Sequence, residues 1–533
     1  MQSDPGENGE ESRVSEQGEM GRLRSAVITG VEAALVTVEV CRRKGGVPDT
    51  HIVGMPGIAV RESLDRVHTA CAQSGLSLSA RKTTINLAPA SQPKSGAGLD
   101  LPIALGMMIA DQRLAPNRLD GCICLGELGL DGSVRAVSGV LPTALAARRS
   151  GMTRLLVPLE NATEVAEIPQ IEAIGVKSLL QAVAYLDGGC PLHPLPRPKT
   201  EPPHHSVDLK DIVGHVLPRR ALELAAAGAH HLLMVGPPGV GKTLLARALP
   251  GILPPLSFDE AVETSAVYSV IGRLSGRGLM QQRPFRAPHH SVTMAGLVGG
   301  GVPPRPGELS LAHNGVLFLD EFPEFRRNAL ESLRQPLEEA EICLVRGGQS
   351  ALLPTRFQLV GSMNPCPCGR GPGDDACRCG EARLARYWQR ISGPLLDRID
   401  IFVWVDRVPL DPLIRGRTRD EDSAQVRSRI VAARHVQAER MSALARQKGT
   451  PSPGITNSAL PSAWLASACS LSPAVQKWAS GVAEQMRLSA RAWHRVLRVA
   501  RSIADIEGAE TIGMPHLEEA LQYRQTTISS AFQ

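Results

Sequence analysis

The chain has 533 residues, 43% apolar and 21% charged, enough for about three globular domains and unlike a disordered or fibrous sequence. Its net charge of +5, carried mostly by Arg, permits a polyanionic partner without requiring one. No apolar run approaches the roughly 18 residues of a membrane span, and most of the cysteines are scattered singly, so a reducing, cytoplasmic location away from membranes is expected.

In chain order, residues 1–19 are polar and acid-rich, lack an apolar signal segment, and read as a disordered leader, with Met20 offering a start for the folded part. Residues 20–187 alternate strand-like runs (Ala34 to Val40, Thr84 to Leu87) with helix-like ones (Val60 to Gln73, Leu101 to Ala110, Val140 to Arg149). That is an α/β or α+β pattern. A linker over 188–207 holds Pro191, Pro194, Pro196, Pro198, Pro202 and Pro203, a density that resists packing. Residues 208–407 form a central core. Residues 408–526 are a helical domain, with an Arg-rich helical pattern from Asp420 to Arg446 and a Pro/Ser/Gly break from Gly449 to Ser462.

The core is announced by Gly236, Pro237, Pro238, Gly239, Val240, Gly241, Lys242 and Thr243, which match G-x-x-x-x-G-K-[ST]. An apolar run, Leu232 to Val235, precedes them and a helix-forming run, Leu244 to Leu249, follows. Strand, loop and helix are what this motif needs, because loop amides and the helix N-terminus together cradle phosphates. Downstream, Val316 to Leu319 ends in Asp320 and Glu321. Asp320 with Thr243 would hold Mg²⁺, Lys242 would neutralise the β- and γ-phosphates of ATP, and Glu321 would polarise the attacking water.

Further along, Phe357 to Met363 reads as a strand ending in Asn364, placed to report the γ-phosphate. Arg398 follows in Pro394-Leu395-Leu396-Asp397-Arg398 as a candidate finger for a neighbouring subunit's nucleotide, and Arg491 in Leu488-Ser489-Ala490-Arg491 offers a second cation. Singly, each is an ordinary surface Arg or strand-end Asn; their order favours the functional reading. Cys366, Cys368, Cys377 and Cys379 form C-x-C, eight residues, C-x-C, which suits a structural Zn²⁺; reduced thiols or a redox pair is the alternative. Glu341 to Arg356 reads as a hairpin with Arg346 at a basic tip that would grip a DNA backbone, or as an ordinary solvated hairpin. His289 and His290 precede a glycine-rich run and read as part of a moving loop rather than a metal site.

Together these residues resemble the magnesium-chelatase-like AAA+ ATPases of the ComM/YifB type. The likeness extends to Val53-Gly54-Met55-Pro56, Asn86-Leu87-Ala88-Pro89-Ala90, Asp100-Leu101-Pro102, Gly126-Glu127-Leu128, Pro288-His289-His290-Ser291, Arg305-Pro306-Gly307-Glu308 and Ser489-Ala490-Arg491. The resemblance implies an α/β chain: a P-loop AAA+ core with a parallel sheet, an N-terminal Lon-protease-like, S5-type domain and a C-terminal helical lid. It also implies a homo-hexamer, a pore hairpin, and a DNA motor active in branch migration during recombination or natural transformation. A protein-remodelling or magnesium-chelatase-like ATPase is the alternative. An ATP-dependent protease is a third reading, opposed by Gly98 standing where a Lon-type serine belongs and Thr143 where its lysine belongs, with Ser95 nearby but misplaced.

Overall fold

A seven-stranded mixed sheet and a five-stranded parallel sheet organise the chain. The computed structural model describes residues 18–525 except 44–46, 116–118, 190–191, 194–206, 275, 372–375, 409–420, 453 and 455. The polar leader and most of the proline-rich linker lie outside the described residues.

The first sheet runs in spatial order Thr50–Val53, Lys82–Ala88, Glu32–Arg43, Glu19–Thr29, Cys122–Cys124, Arg154–Pro158 and Glu172–Val176. The folded part reaches back to Glu19, whose carboxylate accepts from Arg81 at 2.6 Å, rather than beginning at Met20. Val36, Val38 and Val40 alternate onto the buried face, as the period of a strand dictates. The helix Asp100–Ala110 is buried on every side, which explains why it is apolar all round. It lies close on the sheet because Gly21 has no side chain: a Cβ there would stand 2.2 Å from the Gly106 carbonyl oxygen. Asp100 itself is structural. It accepts a fork from Arg66 at 2.8 and 3.1 Å and the Leu128 N–H at 3.2 Å.

The second sheet runs Phe285–Arg286, Val316–Leu319, Gln358–Met363, Leu232–Val235, Ile401–Trp404. Leu232–Val235 is central and buried at every residue, as continuous apolar strands of parallel sheets are. The C-terminal helices Ser423–Lys448, Pro473–Gln485, Ala490–Ile506 and Met514–Gln525 add to this sheet's own core, so Ile430, Val499 and Leu517 share one apolar cluster with Leu232 and Ile401. Among the described residues, no helix is long and apolar enough to cross a membrane.

The two sheets are joined through the helix Phe258–Val270. Its Ser269 hydroxyl donates to Glu164 at 2.7 Å and accepts the Leu141 N–H at 3.2 Å, while Asn161 donates to Glu164 at 2.6 Å. Glu164 is almost fully buried. Around this polar clamp, Val140, Leu141 and Ala144 meet Ala261, Ala266 and Leu279. Glu164→Ala leaves two buried donors without their acceptor and is expected to lower stability by about 2–3 kcal/mol. Guanidinium unfolding followed by circular dichroism measures it.

Candidate active site

The strand Leu232–Val235 ends where Gly236 to Thr243 turn back over its tip. Gly236 is required by a close approach: a Cβ would stand 2.2 Å from the Val405 carbonyl oxygen. Gly239 and Gly241 have φ of +78° and +92°, a region open to glycine, and Gly241 caps the helix Lys242–Ile252. The free N–H groups of that helix end face into the turn. Lys242 is buried, and its amine donates to the carbonyls of Gly236 at 2.6 Å and Pro237 at 2.8 Å, and to Asn364 Oδ1 at 3.2 Å. Burial pulls its pKa down to about 8, against the opposing pull of Asp320.

Asp320 follows the buried strand Val316–Leu319 and so emerges at the same edge of the sheet. The Thr243 hydroxyl donates to its Oδ2 at 3.0 Å, the Glu321 N–H to its Oδ1 at 3.0 Å, and the Ser362 hydroxyl also reaches Oδ1. A hydroxyl and a carboxylate at this spacing are the hard oxygen donors that Mg²⁺ takes. Glu321 is exposed and holds a left-handed backbone, φ +53°, a strained conformation for a residue with a side chain.

Glu321 has a partner that sequence reasoning missed. His290 Nδ1 lies 3.2 Å from its carboxylate, and the His289 ring lies 4.0 Å from that of His290. The base of this loop is fixed by Arg286, which forks onto Glu308 at 2.7 and 2.8 Å and so joins Pro288-His289-His290-Ser291 to Arg305-Pro306-Gly307-Glu308. The two motifs were visible in the sequence, but nothing in their spacing pairs His290 with Glu321.

Asn364 stands one step beyond Gln358–Met363, against Lys242. Arg398 and Arg491 do not join this group. Arg398 precedes the strand Ile401–Trp404, at the edge of the sheet opposite the phosphate loop. Both arginines converge on Glu338, Arg398 at 2.6 Å and Arg491 at 2.5 Å. Beside them, burial alone would raise the Asp400 carboxyl, but Arg495 and His230 hold it well below the usual range. Arg346 is exposed at the tip of the hairpin formed by Glu341–Arg346 and Gln349–Pro354, turned by Gly347 and Gly348 at φ +55° and +75°. The four thiols of Cys366, Cys368, Cys377 and Cys379 all lie within 4.8 Å of one another. In the first domain, the buried Thr143 hydroxyl donates to the Gly139 carbonyl at 2.9 Å, and Gly98 offers no nucleophile.

Three family profiles match: "Magnesium chelatase, subunit ChlI" over residues 208–413, "Subunit ChlI of Mg-chelatase" over 38–161, and "Magnesium chelatase, subunit ChlI C-terminal" over 420–524. The chain is 42% identical over 499 residues to the YifB protein of Salmonella typhimurium, covering 93% of this chain and 95% of the relative. It is 41% identical over 501 residues to the competence protein ComM of Haemophilus influenzae, covering 93% and 95%. This chain belongs to the magnesium-chelatase-like AAA+ family of YifB and ComM. A shorter likeness, 31% over 168 residues, links 28% of the chain to 19% of a peroxisomal Lon protease homolog of Oryza sativa. Membership in the AAA+ family implies ATPase activity, with ATP and Mg²⁺ as cofactors.

The Lys242 pKa yields a pH prediction. A triphosphate on this loop favours the ammonium that burial disfavours, so binding raises the pKa from about 8. Above that pH, binding takes up a proton, and affinity falls by at most about tenfold per pH unit. Calorimetry in buffers of different ionisation enthalpy reads the uptake, and Lys242→Arg, always charged, is expected to remove it.

Proposed function

We propose that the protein is a Mg²⁺-dependent ring ATPase that moves along DNA and migrates branched joints in recombination or natural transformation. The observation that carries the ATPase reading is the convergence of Lys242, Thr243, Asp320 and Asn364 at one edge of the parallel sheet. The amides of Gly236 to Gly241 cradle the phosphates, Lys242 neutralises the β- and γ-phosphates, and Thr243 with Asp320 holds Mg²⁺. Glu321 polarises the attacking water once it leaves His290, and Asn364 reads the γ-phosphate. Arg398 and Arg491, at the opposite edge, serve the nucleotide of the next subunit in a homo-hexamer. Their shared distance from their own phosphate loop supports that assignment. The four clustered thiolates hold a structural Zn²⁺.

The DNA reading is supported by the relative named competence protein ComM and by the exposed Arg346 on a tight two-glycine turn. A second reading, a protein-remodelling or chelatase-like motor, is favoured by the match to the magnesium chelatase subunit. An ATPase assay with and without branched DNA decides between them. Forked or three-stranded DNA is expected to stimulate hydrolysis, and Arg346→Ala to weaken DNA binding and its salt dependence while DNA-free hydrolysis is unchanged. Branched DNA that neither stimulates hydrolysis nor is unwound favours the second reading.

The trans assignment has its own test. Chains carrying Lys242→Ala, mixed with chains carrying Arg398→Ala, form some interfaces with an intact loop facing an intact arginine. Such mixtures are expected to hydrolyse ATP faster than either variant alone.

A further inference from the structure

The four-cysteine knot sits beside the nucleotide site, and its position gives it more than a stapling role. Cys366 Sγ is 3.3 Å from Cys368 Sγ and 3.8 Å from Cys377 Sγ, and Cys368 Sγ is 3.6 Å from Cys377 Sγ. Four sulfurs bonded tetrahedrally to Zn²⁺ at about 2.3 Å stand about 3.8 Å apart, so the cluster has the dimensions of a closed site. Cys366 is fully buried, and its sulfur accepts the Gly371 N–H at 3.3 Å.

Three attachments lead from the knot to the nucleotide pocket. Asn364 lies two residues before Cys366, and between them the Pro365 carbonyl accepts the Trp388 indole N–H at 3.3 Å. Cys379 precedes Gly380, which caps the helix Glu381–Trp388 carrying that indole, so both ends of the knot meet at one place. Gly369, at φ +83°, lies directly on the phosphate loop: a Cβ there would stand 2.9 Å from Pro238 Cδ. Asn364 and the loop are in turn joined through the Lys242 amine at 3.2 Å.

We propose that a Zn²⁺ ion bound by Cys366, Cys368, Cys377 and Cys379 braces the nucleotide pocket, setting Asn364 against Lys242 and Gly369 against Pro238, so that metal occupancy controls triphosphate affinity. This rests on the reading of the loop as an ATP site. With the metal bound, the charge of the four thiolates is halved and Cys366 and Cys368 are tied to Cys377 and Cys379. Without it, four thiols crowded within 4.8 Å lose their common partner. Cys366 and Cys368 are then no longer tied to Cys377 and Cys379, and Asn364 and the Gly369 contact on Pro238 lose their brace. One face of the sheet, with Leu232, Val316, Val360 and Ile401, packs away from the knot, whereas Cys366 belongs to the apolar cluster of the other face with Leu233, Leu317 and Leu359, so the circular dichroism control is part of the test.

The test uses the full chain purified without chelator, with zinc measured by elemental analysis and equilibrium binding of ADP and a non-hydrolysable ATP analogue. About one zinc per chain is expected. Removing it with a thiol-specific mercurial and a chelator, or by Cys377→Ser with Cys379→Ser, is expected to weaken analogue binding by about fivefold or more, one hydrogen bond's worth. ADP binding should weaken less, because Asn364 faces the γ-phosphate. Gly369→Ala keeps all four thiols and pushes on Pro238, so it is expected to weaken nucleotide binding with zinc content intact. Zinc-free chain that binds both nucleotides as the native protein does, with an unchanged circular dichroism spectrum, overturns the proposal, as does a native chain holding less than about half an equivalent of zinc. Native, zinc-bearing chain that binds neither nucleotide overturns the ATP-site reading itself, and the brace with it.

Discussion

The Lys242 ammonium, buried and held by oxygen atoms that carry no formal charge, is the constraint on which the site depends. Two of those oxygens belong to the backbone of its own loop, so the turn through Gly239 and Gly241 and the position of the amine define each other. The third belongs to Asn364, just past the end of the adjacent strand. A cation placed this way is electrostatically unsatisfied, which is why burial lowers its pKa and why an anionic ligand is the natural completion of the pocket. Asp320 sits close enough to be felt but is engaged by Thr243 and Ser362, leaving the ammonium uncommitted.

The parallel sheet makes this arrangement directional. Every strand of the core delivers its C-terminal end to one edge, so Gly236, Asp320 and Asn364, far apart in the chain, become neighbours. The same geometry sends Arg398, which precedes its strand, to the other edge. In the proposed ring, a second copy would present this arginine edge to the first copy's loop. The clamp of Glu164 on Ser269 ties the N-terminal domain to the helix Phe258–Val270 of the core.

Much of this was legible in the sequence because it is written locally. Gly236 to Thr243 specify a turn between a strand and a helix, Val316 to Asp320 specify a buried strand ending in an acid, and Arg346-Gly347-Gly348-Gln349 specify a two-residue hairpin turn. What was not legible depends on side chains meeting across long separations. His290 on Glu321, Glu338 between Arg398 and Arg491, and Glu164 on Ser269 have no periodicity to betray them, because each pairing is set by how the sheets and helices stack. The cysteines fall between: their C-x-C spacing left zinc, free thiols and redox chemistry open, and only their convergence in space favours a tetrahedral cluster. Asp100 lies at the other extreme, a motif residue whose partners, Arg66 and Leu128, mark it as part of the scaffold.

One carboxylate, that of Glu338, serves two guanidiniums. A single negative charge divided between two positive ones leaves a surplus, so each arginine is held less firmly than it would be alone, and detaching one tightens the grip on the other. Glu338 thereby couples an interior cation, Arg398, to an accessible one, Arg491, so that whatever engages the accessible guanidinium alters the hold on the interior one.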